Sequence, residues 1–353
     1  MASIKSASKV TNADTLPPVD LAPLPHGGDL AAARVLFPGA PEPFLDLSTG
    51  INPNPYPLPR LAPEIFAKLP QASDTQALAE AAAHAYGAPS DRHVLPAPGT
   101  QILLASLARL LPPGRAKILT TTYVEHARAA ALAGHQVEDV DDIEALADAD
   151  LAILVSPNNP DGRVVSKETL VALAHRLHGR GGLLVVDEAF MDMGPEAASL
   201  GGEVARGNIV VLRSFGKFFG LAGLRLGFAI APEGIIRRLA ATLGPWPVSG
   251  PAIAIGRRAL ADKAWIDATR GALTADAARL DAMLLSAERG VAGGTSLFRL
   301  VESGQAAALY RHLGQAGILV RAFPERPHWL RVGLPGSAND WDRLASALRS
   351  FGT

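Results

Sequence analysis

The sequence of 353 residues contains no cysteine, which excludes disulfide bonds and thiolate metal ligands and is typical of the reducing cytoplasm. It also lacks any apolar run of the ~20 residues needed to span a bilayer, so no membrane anchor is expected. Neither sign of charge dominates, with 33 Lys+Arg against 34 Asp+Glu. This balance argues against electrostatic binding to nucleic acid or to an anionic membrane.

Several well-known binding motifs are missing as well. No G-x-G-x-x-G and no G-x-x-x-x-G-K-[ST] occurs, so the dinucleotide and P-loop interpretations lack their fingerprints. His175 and His178 share one face of a predicted helix, but no third ligand accompanies them. A solvated helix face is the better interpretation, and no metal site is predicted.

The length of the chain allows two domains around a large core. Residues 1–19 are polar and carry no apolar run, so we expect a disordered tail rather than a signal peptide. Residues 20–50 are rich in proline and glycine and are predicted to form an arm that packs with a small C-terminal domain, 251–353. The large domain is predicted to cover residues 51–250.

Short apolar runs alternate with Ala/Leu-rich helical segments in the large domain, which predicts an α/β fold with a mainly parallel sheet sandwiched by helices. The predicted buried strands are 117–121, 151–156, 183–187, 209–213 and 225–230, and the helices between them include 101–111, 125–133 and 167–178. The smaller domain is predicted to be α+β. Its elements are a long helical region at 252–289, strands at 296–301, 318–321 and 329–332, and a final helix at 338–349.

The segment 213–227, RSFGKFFGLAGLRLG, is the most informative in the chain. Lys217 stands among aromatic residues and glycines, and an ammonium in such surroundings loses hydration, so its pKa falls. The neutral amine can then form a Schiff base with a carbonyl. Ser214 and Arg225 are suitable donors for a phosphate. The combination describes a pyridoxal phosphate (PLP) site, whereas a lone lysine here would be a surface side chain beside a buried strand.

Further polar residues fall at the carboxyl ends of predicted strands, where open α/β sheets bind ligands. Asp187 closes an apolar run, and a buried carboxylate there needs a cationic partner, unless it only caps the next helix. Gly99, Thr100 and Gln101 stand directly before a helix, whose N-terminus favours a phosphate. An ordinary helix N-cap is equally compatible with these three residues.

The spacing Ser-x-x-Lys-x7-Arg resembles the lysine motif of the fold-type I PLP enzymes, the aspartate aminotransferase superfamily. The resemblance implies that Lys217 bonds the cofactor and that Asp187 keeps its pyridinium nitrogen protonated. It also implies that Asn159, in the turn 156–162, binds the cofactor's phenolic oxygen and lies beside the substrate. Tyr123 would stack on the pyridine ring. Arg331, in the run WLRV, would hold the substrate's α-carboxylate.

Two segments resemble one branch of this family, the threonine-phosphate decarboxylases of cobalamin biosynthesis. These are the run HGGD beginning at His26 and the run DLSTGINP at 46–53. The resemblance places His26, Gly27 and Asn52 at the substrate, with His26 near its phosphate. Arg321, in the run GILVR, resembles an additional arginine of histidinol-phosphate aminotransferases and of this decarboxylase, and is a second candidate for the substrate phosphate.

Two positions depart from the wider family. Phe190 stands where most aminotransferases have a tyrosine that donates to the cofactor, and phenylalanine cannot donate. Leu69 replaces a tyrosine that reaches the cofactor phosphate of the partner subunit, so this bond is not expected here. The resemblance still implies a homodimer with sites near the interface.

These patterns predict a PLP-dependent lyase that converts O-phospho-L-threonine to (R)-1-aminopropan-2-yl phosphate. One alternative is an aminotransferase of the histidinol-phosphate type, because only the orientation of the substrate's Cα bonds separates the two chemistries. Another is a regulatory or binding protein with a PLP fold and no catalysis. Against this alternative, no helix-turn-helix region adjoins the fold and every catalytic position is filled.

Overall fold

The computed structural model describes residues 26–351 as an α/β protein, and the predicted tail at 1–19 lies outside these residues. Thirteen strands are described: β1 Leu45–Asp46, β2 Val94–Ala97, β3 Arg115–Leu119, β4 Gln136–Val140, β5 Leu151–Val155, β6 Leu183–Asp187, β7 Ile209–Ser214, β8 Gly227–Ile230, β9 Gly290–Thr295, β10 Phe298–Glu302, β11 Ile318–Leu319, β12 Arg321–Ala322 and β13 Trp329–Gly333. The α-helices in this part of the chain are α1 Leu30–Leu36, α2 Glu64–Ala67, α3 Ala72–Tyr86, α4 Gln101–Ala108, α5 Glu125–Leu132, α6 Lys167–His178, α7 Phe215–Phe218, α8 Glu233–Leu243, α9 Gly250–Ala261, α10 Lys263–Ser286, α11 Ala306–Gln315 and α12 Ala338–Arg349.

The main sheet has seven strands in the order β2-β8-β7-β6-β5-β3-β4. Strand β8 is antiparallel to both neighbours, and the other pairs are parallel. Strands β5 and β6 are buried along their whole length, as expected for apolar runs covered on both faces. In β6, Leu184 and Val186 join one hydrophobic cluster, while Leu183 and Val185 join the other. Helices therefore cover both faces, which confirms the predicted fold class.

A second sheet of four antiparallel strands, β12-β13-β10-β9, lies later in the chain. Strand β1 of the N-terminal segment pairs in parallel with β11, with Leu45 opposite Ile318. The main sheet falls within residues 94–230 and the second sheet within 290–333. The domain boundaries at residues 50 and 250 stay predictions.

The helical region predicted at 252–289 is present in the structure as two helices, α9 and α10, with a break at Asp262. Helix α9 ends before Asp262, whose side chain accepts a hydrogen bond from the Trp265 backbone N–H at 3.1 Å and so caps α10. Asp at such a position is a good N-cap, and this competes with a continuous helix. The strand predicted at 318–321 is likewise divided, into β11 and β12.

Candidate active site

A cavity of about 340 Å³ opens where the parallel strands of the main sheet end. Its lining includes every predicted site residue except Asn52. These residues are His26, Gly27, Gly99, Thr100, Gln101, Tyr123, Asn159, Asp187, Ser214, Lys217, Arg225, Arg321 and Arg331. Positions spread over some 300 residues of sequence therefore meet in one place, although their individual roles stay predictions.

Lys217 lies in the short helix α7, directly after β7, among the buried rings of Phe215 and Phe218. Its Nζ donates to the backbone oxygen of Thr49 at 3.3 Å. Burial lowers the pKa of Lys217 to about 8, and the positive charge of Arg331 is the next cause. A substantial share of this amine is therefore neutral near pH 8, as Schiff-base chemistry requires.

Asp187 ends strand β6 with its carboxylate buried. Its Oδ1 accepts from the Ala189 backbone N–H at 2.9 Å, and its Oδ2 lies 3.0 Å from Nε2 of the buried His126. Each carboxylate oxygen has a further lone pair for a ligand. Sequence reasoning missed His126, because a histidine near the start of an Ala-rich helix carries no signal of its own.

Strand register explains how three segments predicted to bind the cofactor phosphate come together. Gly227 of β8 pairs with Ala97 of β2 on one side and with Ser214 of β7 on the other. This arrangement brings the Gly99 turn, Ser214 and the Arg225 guanidinium to one corner of the cavity.

Gly99 is required in this corner. It adopts a φ of +83°, and a Cβ at this position would lie 2.8 Å from Nη2 of Arg225. Thr100 and Ser214 each precede a helix, yet neither side chain makes a capping hydrogen bond to it. The plain N-cap interpretation of Thr100 is therefore not supported, and both hydroxyls are available to an anion.

Arg331 of β13 is buried in the opposite wall. Its Nη1 donates to Oδ1 of Asn159 and its Nη2 to the backbone oxygen of Ser48. Burial, followed by the charge of Arg321, lowers the pKa of Arg331 to about 9. Arg321 stands directly opposite Arg331 in the β12–β13 register, so the two guanidinium groups come from adjacent strands.

The mouth of the cavity contains a hydrogen-bonded network centred on Glu125. Its Oε1 lies 3.1 Å from Nε2 of His26, and its Oε2 accepts from Nε2 of Gln101 at 3.1 Å. Gln101 in turn accepts from the hydroxyl of Tyr123 at 3.0 Å. Burial, followed by the charge of Glu125, raises the pKa of Tyr123 to about 12, so its hydroxyl stays protonated. Sequence reasoning missed Glu125, because an acidic residue in the first turn of a helix such as α5 is common.

Asn52, which is predicted at the substrate, lies outside the residues that line the cavity. It is buried, its amide donates to the backbone oxygen of Phe218 at 2.8 Å, and its Oδ1 accepts from the Asn54 N–H at 2.9 Å. Its backbone N–H also donates to the Lys217 carbonyl. Because the bonds to Phe218 and Lys217 hold the backbone around Lys217, the geometry favours a positioning role over substrate contact.

A buried ionic cluster supports the ends of β6 and β7. The Arg213 guanidinium donates to Glu188 at 2.9 Å and to Asp192 at 2.7 Å, and it lies over the Tyr86 ring. Arg213 directly precedes Ser214, and Glu188 directly follows Asp187. The cluster thus ties together the two strand ends that carry the cofactor candidates.

Two features are absent from residues 26–351. No group of three or more His, Cys, Asp or Glu side chains in this range is arranged to hold a metal ion. No helix in the same range is both long and apolar enough to cross a membrane.

Comparison with known proteins identifies the family. Residues 58–348 match the family described as aminotransferase class I and II. A threonine-phosphate decarboxylase from Sinorhizobium sp is 44% identical, covering 93% of this chain and 98% of that protein. A threonine-phosphate decarboxylase from Pseudomonas aeruginosa is 42% identical with the same coverage.

A solved structure shows the same fold. The histidinol-phosphate aminotransferase from Sinorhizobium meliloti, in complex with pyridoxal-5'-phosphate, superposes with a TM-score of 0.76 at 21% identity. The match covers 91% of this chain and 95% of that chain. With most of its length matched by the family and by full-length relatives, this chain belongs to the class I and II aminotransferase family.

Proposed function

We propose that this protein is a PLP-dependent lyase that decarboxylates O-phospho-L-threonine to (R)-1-aminopropan-2-yl phosphate for cobalamin biosynthesis. The observation that carries the proposal is the pairing of Arg321 with Arg331 on one cavity wall. Two adjacent cations suit a substrate with two anionic groups, a carboxylate and a phosphate. The two decarboxylase relatives, similar over their full length, support the same choice.

The residues of the cavity fit PLP. Lys217 is a half-buried amine with a lowered pKa, suited to bonding the cofactor's aldehyde. The Asp187 carboxylate, at the carboxyl end of the neighbouring parallel strand β6, suits the pyridinium N–H. The corner formed by Thr100, Ser214 and Arg225 has uncommitted hydroxyls and a cation for the cofactor phosphate. When bound, PLP serves as an electron sink that stabilises the negative charge left at Cα when CO2 departs.

The protein's own groups then have distinct tasks. Arg331 binds the substrate carboxylate, and Arg321 with His26 binds the phosphate, so the substrate is held at both ends. Tyr123 and Phe190 line the space between them and exclude water. Lys217 would hold the cofactor through its amine, and the same amine would return a proton to Cα. Asp187 keeps the ring nitrogen protonated, and His126 holds that carboxylate in place.

Substrate discrimination is expected to depend on Arg321. Arg321→Ala should lower kcat/KM for phosphothreonine about 10- to 150-fold, since a charge-assisted hydrogen bond contributes ~1.5–3 kcal/mol. The rate of any slow reaction with unphosphorylated threonine should stay unchanged, because that reaction does not use the Arg321 guanidinium. Arg331→Ala should weaken both substrates alike.

The control for this experiment is Arg311→Ala, which removes an exposed arginine of α11 outside the cavity lining. Steady-state kinetics with both substrates measures the preference. If Arg321→Ala weakened phosphothreonine and threonine equally, Arg321 would not be a phosphate ligand.

We also propose that the protein is a cytoplasmic homodimer. Leu58, Phe66, Leu69 and Trp246 are each more than half exposed in the single chain, and large apolar side chains in such positions favour burial against a partner. Leu69 cannot donate to a partner's cofactor phosphate, but it can still contribute apolar contact.

The expected mass in sedimentation at assay concentration is that of two chains. Phe66→Glu should shift the equilibrium toward the single chain and reduce activity, because the family resemblance places the sites near the interface. Glu80→Ala, a change on the exposed face of α3, is the control. A fully active single chain would contradict the dimer.

A further inference from the structure

Two aromatic rings contact two cations of the cavity, the half-buried Lys217 and the buried Arg331. Nζ of Lys217 lies 5.7 Å from the centroid of the Phe190 ring. Phe190 meets Phe298 edge to face, with centroids 5.1 Å apart and an interplanar angle of 84°. Cζ of Arg331 lies 4.9 Å from the centroid of Phe298. The arrangement is therefore cation, ring, ring, cation, and we call it the Phe190–Phe298 pair.

The backbone at Gly50 is shaped around this pair. Gly50 has a φ of +60°, and a Cβ there would lie 2.9 Å from Cδ1 of Phe298 and 3.7 Å from Cε1 of Phe190. Phe298 is completely buried, so it has no room to retreat from such a clash. The glycine of the run DLSTGINP is thus explained by contact with the rings rather than by contact with a ligand.

Both cations have few polar partners in the described part of the chain. Nε of Arg331 is buried without a hydrogen bond there, and Nζ of Lys217 donates to the backbone oxygen of Thr49. Each group carries a positive charge, and burial is the main reason why each pKa is lowered. The negative face of an aromatic ring attracts a cation, most strongly where water is excluded. The pair therefore offers each cation a favourable surface.

We propose that Phe298 is a positioning residue that holds the Arg331 guanidinium in place for the substrate carboxylate. Phe298 lies behind the cavity wall, outside the residues that line it, so it acts through its neighbours. The inference rests on the proposed function in one respect, the assignment of the carboxylate to Arg331.

The test replaces the ring in the holoenzyme by Phe298→Leu and by Phe298→Met, the second being closer in volume and flexible enough to fill the space. Loss of a desolvated cation–π contact should raise KM for phosphothreonine about 3- to 30-fold. The value of kcat should change much less, and both variants should behave alike because both lack the ring. The affinity for inorganic phosphate, measured by inhibition, should stay unchanged because the phosphate end is not disturbed.

A pair of glycine variants separates this effect from general strain. Gly50→Ala should raise KM as Phe298→Leu does, because its Cβ displaces Phe298. Gly87→Ala has a similar backbone strain, at a φ of +68°, but its Cβ meets nothing within 4 Å. It should lower the melting temperature and leave KM unchanged.

Two results would overturn the inference. One is a lowered melting temperature with unchanged KM in both Phe298 variants; the other is an equal weakening of inorganic phosphate. If the wild-type enzyme binds phosphothreonine without releasing CO2, the proposed function fails. In that case the affinity for phosphothreonine, measured by the absorbance of the bound cofactor, replaces KM in the comparison of the Phe298 and glycine variants. Failure of the proposed function is therefore distinguishable from failure of the inference about Phe298.

Discussion

Lys217→Ala is expected to remove nearly all turnover while leaving a protein that still binds PLP. Loss of proton transfer alone should lower the rate about 10²–10⁴-fold, and loss of the covalent attachment should lower it further. The cofactor should remain bound because Thr100, Ser214 and Arg225 are unaffected. The measurement is single-turnover kinetics with phosphothreonine, together with the absorbance of bound cofactor.

The control is Lys263→Ala, which removes a lysine that is 87% exposed on α10 and should change nothing measurable in turnover. Borohydride treatment of the wild-type holoenzyme should attach the cofactor to one peptide, the one that contains Lys217. Attachment to a different peptide would show that the site assignment is wrong.

Asp187→Asn is expected to slow the chemical step by orders of magnitude with little change in substrate affinity. The amide keeps the shape of the carboxylate but loses the charge, so the cofactor's ring nitrogen is no longer held protonated and the ring becomes a weaker electron sink. PLP should still bind, since its phosphate and aldehyde contacts are retained. Pre-steady-state kinetics separates the chemical step from binding.

Asp267→Asn, a change in a half-exposed carboxylate of α10, is the matched control and should behave like wild type. The turnover of His126→Ala should lie between that of Asp187→Asn and that of Asp267→Asn. His126 supports the Asp187 carboxylate without touching the cofactor. Near-normal turnover of Asp187→Asn would mean that this carboxylate serves only the local turn at Ala189.

The strand ends were predictable from sequence because buried parallel strands are uninterrupted apolar runs. The run ending at Asp187 and the start of the run at Ile209 match the structure at those residues. Strand β4 was not predicted, since three of its five residues are exposed and polar at the sheet edge. Strand β2 contains Pro96, and a proline in a sequence usually argues against a strand. It is tolerated here because β2 lies at the other edge of the main sheet.

Site residues were predictable from sequence where they form a distinctive motif, as in the lysine segment 213–227. They were not predictable where a common residue type stands in an ordinary helix. His126 and Glu125 became visible only when the fold placed them beside Asp187 and His26. Asn52 is the opposite case, because it stands inside a recognisable motif while its side chain bonds to backbone groups, and its role at the substrate stays a prediction. The surroundings of these three residues depend on strand pairing and on packing between distant segments, and neither has a local sequence signal.

The most direct test of the proposed function is incubation of the holoenzyme with O-phospho-L-threonine while CO2 release is measured. We expect CO2 and (R)-1-aminopropan-2-yl phosphate in equal amounts, with no requirement for a keto-acid acceptor. Amino transfer from histidinol phosphate to 2-oxoglutarate, without CO2 release from phosphothreonine, would contradict the decarboxylase and favour the aminotransferase. Absence of turnover with either substrate would contradict both and favour a non-catalytic PLP-fold protein.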